Sequence, residues 1–155
     1  MEIPLDGSPA RQLPWNGFTT FSPDGSRVVH YNTAWSLVVA EADGSNPQEV
    51  FGGRAVGQPI WSSSGDRIAF ATASAQRLEM VDVATGTVTL VAQAETESET
   101  VHVLDFSPQG DEILFTRYVK GGSSSLWSVH TDGSDLRLLV TGIYWGDWQP
   151  LSSKG

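Results

Sequence analysis

The sequence predicts an all-β fold built from a repeated four-stranded antiparallel unit, the blade of a β-propeller. Three observations predict it. First, an aromatic-turn motif recurs: Phe21-Ser22-Pro23-Asp24-Gly25, Trp61-Ser62-Ser63-Ser64-Gly65, Phe106-Ser107-Pro108-Gln109-Gly110, and a decayed copy, Trp148-Gln149-Pro150-Leu151. The anchors at 21, 61, 106 and 148 are 40, 45 and 42 residues apart, the period of one four-stranded blade. Second, a Gly turn follows each of the first three anchors, at Ala42-Asp43-Gly44-Ser45, Ala84-Thr85-Gly86 and Thr131-Asp132-Gly133-Ser134, with an earlier copy at Leu5-Asp6-Gly7-Ser8. Third, no 11-residue stretch keeps a helical period, so no long helix is expected.

The strands of each unit follow in order. The first ends at the aromatic anchor, and a large ring there is best used as a plug between adjacent blades. The Ser-Pro-x-Gly segment is a tight turn in which Pro fixes φ. The second strand is Arg27-Val28-Val29-His30-Tyr31, then Arg67-Ile68-Ala69-Phe70, then Glu112-Ile113-Leu114-Phe115. These are short β-branched and aromatic runs bounded by turn residues. The third strand is Leu37-Val38-Val39, Leu78-Glu79-Met80-Val81 and Leu126-Trp127-Ser128-Val129. It runs into the Asp-Gly or Thr-Gly turn, where Gly accepts positive φ. The fourth is Glu49-Val50-Phe51, Thr87 to Val91 and Leu136 to Val140.

The units are thus 17–52, 57–93 and 101–141, preceded by a third-to-fourth strand hairpin at 1–13 and followed by a lone first strand at 143–150. The repeat resembles the TolB-type, WD40-like propeller repeat, in which Phe or Trp ends a strand before Ser-Pro-Asp-Gly and an Asp-Gly hairpin joins the last two strands. The resemblance covers nearly the whole chain. It departs where Ser63-Ser64 replaces Pro-Asp and where the fourth unit stops after one strand. It implies a module that engages protein partners through the propeller opening. Propellers of this kind are also found fused to serine peptidases.

Composition narrows the function classes. The chain has 155 residues, one domain by length, and no Cys, which removes disulfides, thiol catalysis and thiolate metal sites. Net charge is −9 and the nine Lys and Arg are scattered singly, so nucleic acid and anionic lipid are not expected partners. No run of 18 apolar residues exists to insert into a membrane. The N-terminus lacks the basic and apolar regions of a signal peptide. The sequence therefore reads as soluble and unaddressed, and as periplasmic or extracytoplasmic where a parent gene supplies a signal.

Three units and a fraction do not close a ring of six or more blades. An open arc leaves apolar sheet faces wet, at about 25 cal/mol per Å². The expectation is a homodimer meeting head to tail and closing a ring of 6–8 blades; the rival is a compressed four-bladed ring in one chain.

No chemistry motif is complete. Gly121-Gly122-Ser123-Ser124-Ser125 lacks the last Gly of a nucleophile elbow and reads as a loop. His30, His102 and His130 form no metal motif; His30 shares the register of Phe70 and Phe115 and reads as core, while His102 begins a first strand near the channel. Asp6, Asp24, Asp43 and Asp132 read as turn residues. Asp105 and Asp147 precede aromatic anchors and form a channel carboxylate pair able to take a cation such as calcium; no other cofactor is expected. Glu95, Glu97 and Glu99 alternate in what reads as a solvated loop.

The turns at the Ser-Pro and Asp-Gly motifs are nearly constant, whereas the other two connections vary and share one rim. Variable loops on a rigid repeat are where binding concentrates. That rim gathers Trp15, Tyr31, Trp35, Arg54, His102, Tyr118, Lys120, Tyr144 and Trp145, types suited to an interaction hot spot. The reading is a non-catalytic protein- or ligand-binding module using this rim and the channel with Asp105 and Asp147. The alternatives are an enzyme-associated propeller with an axial hydrolase or lyase site, and a structural fragment that self-assembles.

Overall fold

The structure is a computed structural model and describes residues 16–72 and 74–148. Among these residues no helix forms, and hence none long and apolar enough to cross a membrane. Twelve strands among the described residues make three four-stranded antiparallel sheets in the order of the chain. The first sheet is β1 (Asn16–Phe21), β2 (Arg27–Tyr31), β3 (Leu37–Glu41) and β4 (Gln48–Phe51). The second is β5 (Ala55–Trp61), β6 (Arg67–Thr72), β7 (Arg77–Asp82) and β8 (Val88–Gln93). The third is β9 (Glu99–Phe106), β10 (Glu112–Val119), β11 (Ser124–His130) and β12 (Arg137–Thr141). The expected hairpin at 1–13 lies outside the described residues. Residues 142–148 form no ladder; a first strand needs a second to pair with, and no described residue supplies one.

The turn after each aromatic anchor is built alike. The Ser22 amide donates to the Arg27 carbonyl, the Gly25 amide to the Ser22 carbonyl, and the Arg27 amide to Ser22 Oγ. Ser62 and Ser107 repeat this with Arg67 and Glu112. Gly25, Gly65 and Gly110 have φ of 71°, 70° and 76°, the region a side chain resists. The Ser63-Ser64 departure is absorbed locally. Asp24 accepts from Ser22 Oγ in the first unit, whereas Asp66 and Asp111 accept from Ser62 and Ser107 in the others.

The core lies between sheets, because alternation sends the side chains of a strand to both faces of its sheet. One cluster joins Val29, Tyr31, Leu37 and Val39 of the first sheet to Trp61, Ile68, Phe70 and Val81 of the second. The other joins Ala69, Ala71, Leu78 and Met80 to Phe106, Ile113, Phe115 and Val129 of the third. The anchor rings do act as inter-sheet plugs: Trp61 and Phe106 are buried, and Trp61 Nε1 donates to the Thr20 carbonyl. Phe21, the anchor of the first described sheet, is 41% exposed.

Polar struts repeat at both junctions. Arg27 reaches the Gly65 carbonyl and stacks over Trp61, and Arg67 reaches the Gly110 carbonyl at 2.9 Å. The Ala55 amide donates to the Trp35 carbonyl, and the Val101 amide to the Ala75 carbonyl. β5 and β9 begin two residues earlier than the sequence indicates, where Ala55 pairs with Thr72 and Glu99 with Val119.

Candidate functional site

β1, β5 and β9 are neighbours, so the first strand of each sheet faces a common axis. The position three before each aromatic anchor points there in every unit: Phe18, Gln58, Val103 and Trp145 all line one groove of about 690 Å³. Val56, Gly57, Val101, His102 and Leu104 add to it from β5 and β9; Thr116, Tyr118 and Tyr144 close one side. The lining is mostly apolar. Phe18, Tyr144 and Trp145 are 53%, 63% and 74% exposed, although large rings are normally covered. Tyr118 and Tyr144 contact at a centroid distance of 5.9 Å. Thr100 Oγ1 lies 3.2 Å from His102 Nε2.

Asp105 and Asp147 do come together, in a second cleft of about 490 Å³ with Trp61 and Trp148. Burial raises the Asp105 carboxyl above its ordinary value, and the neighbouring Asp147 adds to the rise. The Phe106 amide donates to Asp105 at 2.8 Å and opposes it. Ser63 and Ser107 also line this cleft, and among the described residues no group of three or more His, Cys, Asp or Glu is placed to hold a metal.

Of the rim residues named from sequence, His102, Tyr118, Tyr144 and Trp145 line the groove. Trp15 lies outside the described residues. Tyr31 is not a rim residue: it is 3% exposed within the first inter-sheet cluster. Its hydroxyl donates to the Gly57 carbonyl, and burial pushes its pKa up to about 12. Arg54 is exposed away from the groove, 5.9 Å from the Trp35 ring. Lys120 is also exposed outside it, its amide bonded to the Ser98 carbonyl.

The acidic loop is corrected in two places. Glu99 is 9% exposed at the start of β9, where its carboxylate accepts the Glu95 amide. Glu95 pairs with Arg117 at 2.6 Å. Arg117, in β10, is 3% exposed and stacks 4.4 Å over Trp127. Phe18, Gln58 and Val103 lie on strands, so neither residue type nor loop variability marks them in the sequence. Their signal is positional, a fixed offset from the anchor on the innermost strand.

The arrangement of sheets around a shared groove defines a partial β-propeller. No family model and no curated protein matches the chain. Solved structures do match. One assigned as TolB from Agrobacterium tumefaciens is 19% identical over 81% of this chain and 46% of that one, with a TM-score of 0.65. An oligogalacturonate lyase in complex with manganese is 13% identical, covering 81% and 39%, with a TM-score of 0.65. TolB from Acinetobacter baumannii is 15% identical, covering 79% and 31%, with a TM-score of 0.61. The fold is that of a TolB-like β-propeller, and the chain spans less than half the length of these structures.

Proposed function

We propose that the chain is a non-catalytic binding module whose groove takes an apolar, aromatic-bearing segment of a protein partner. The observation behind this is the convergence of Phe18, Tyr144 and Trp145, three exposed rings, on one concave surface with few polar groups. Aromatic anchors in a pocket dominate the energetics of protein recognition. Gln58 and His102 supply the polar contacts that orient a peptide.

Peptides selected from a random library for binding tests this. They are expected to be rich in apolar and aromatic residues. The double variant Tyr144→Ala, Trp145→Ala is expected to weaken them about tenfold or more, a loss of at least ~1.4 kcal/mol. Selection of no peptide, or equal binding by the variant, contradicts the proposal.

The competing reading, an enzyme-associated axial site, has the Asp105–Asp147 pair behind it. Titration with calcium and with manganese separates the two. Binding that disappears in Asp147→Asn favours the axial site, and heat-silent titrations favour the peptide groove.

A further inference from the structure

The last strand of each sheet carries the same irregularity. In β4 the ladder skips Val50, in β8 it skips Val91, and in β12 it skips Leu139. A bulged residue breaks pairing and turns its side chain and carbonyl to a new surface. In the first two sheets that surface is used. The hairpin turn of the following sheet lies on it: a Cβ on Gly86 would be 3.9 Å from the Val50 carbonyl oxygen, and one on Gly133 only 3.2 Å from that of Val91. Val50 and Val91 are accordingly 9% and 4% exposed. Leu139, at the same place, is 48% exposed, and Val140 beside it 37%, whereas its counterpart Ala92 is 8% exposed.

We propose that a second copy of this chain covers Leu139 and Val140, head to tail, by presenting an Asp-Gly hairpin turn of the repeat. The surface matches that occupant because two of its three occurrences already hold a Gly hairpin turn. The sequence carries four such Gly-turn markers, one more than the three hairpins of the described sheets, the additional one being Asp6-Gly7. A twofold axis along the groove makes two such contacts and closes the ring. This inference is independent of the peptide groove, since it concerns the opposite edge of the sheet and is read by mass.

Light scattering on the full chain, from micromolar to millimolar, is expected to give twice the 16.7 kDa chain mass. Leu139→Lys is expected to reduce it to the single-chain value. Leu138→Lys is expected to leave the pair intact, because its counterpart Leu90 stays 42% exposed even where a sheet follows. Amide exchange in β12, slowed at high concentration and fast on dilution, reports the same contact without a substitution. A single-chain mass throughout, an unchanged pair in Leu139→Lys, masses rising beyond two chains, or concentration-independent exchange in β12 overturns the proposal.

Discussion

Phe70 and Phe115 hold the same register position in consecutive sheets, and both are fully buried, one in each inter-sheet cluster. Truncation to Ala leaves a cavity that rigid strands do not fill. Each substitution is expected to cost ~3–5 kcal/mol in urea unfolding, a large part of a domain's ~5–15 kcal/mol. Titration acts on the same balance. Hydrogen bonds from Ser22 and then Ser26 lower Asp24 from 3.8 to about 2. Its folded state binds the proton less tightly, so its contribution is present above pH 3.8 and lost as pH falls toward 2. Asp66, Asp82, Asp111 and Asp132 shift in the same direction, chiefly through hydrogen bonds from Ser64, the Thr85 amide, Ser107 and Ser134. Tyr31 is the reverse: its contribution is full below pH 10.0 and lost as pH rises through about 12. The urea midpoint is expected to fall on both flanks, and Tyr31→Phe to remove part of the alkaline fall. Asp105→Asn keeps the oxygen that accepts the Phe106 amide and removes the repulsion from Asp147. It is expected to raise Tm by about 1–2 °C at neutral pH, as relief of a few tenths of a kcal/mol.

At the scale of the element, the hairpin glycines separate two costs. Gly25 has φ of 71° and open space where a Cβ would go, so Gly25→Ala pays only for the left-handed backbone, about 1–2 kcal/mol. Gly133 has φ of 85° and the Val91 carbonyl 3.2 Å from that Cβ. Gly133→Ala is therefore expected to lower the urea midpoint more than Gly25→Ala, and equal losses would show that β8 yields freely. The strands themselves were legible in the sequence, because Ser-x-x-Gly and Asp-Gly turns are local chemistry and each encloses a β-branched run. What lay across sheets was not. Tyr31 looked like a rim aromatic because nothing beside it in sequence shows that Gly57 offers a carbonyl to its hydroxyl. The burial of Arg117 has no local signal either, because its partners, Glu95 and the Gln93 carbonyl, come from the preceding unit. Of the eight named rim residues that the structure describes, His102, Tyr118, Tyr144 and Trp145 reach the groove and the other four do not, since loop variability marks a rim but not the direction a side chain takes.

For the whole molecule, charge and edge exposure oppose each other. Each chain carries −9, so two copies repel at long range, whereas the contact at Leu139 is apolar. Screening weakens only the repulsion. Association between chains is expected to strengthen as salt rises from low to physiological strength, measured by sedimentation; weakening with salt would place ion pairs at the contact. The peptide groove, with few charged groups, is expected to bind with little salt dependence.

Arg27 and Arg67 each hold the glycine carbonyl of the next sheet's turn, but the residue in their register on β10 is Glu112, which instead takes Arg137 on its own sheet. The series of arginine clasps therefore has a direction and a stopping point. A chain lengthened by duplicating the second unit in place would inherit a clasp at each new border, whereas one lengthened after the third would not. Designed extension of this array should begin in its middle.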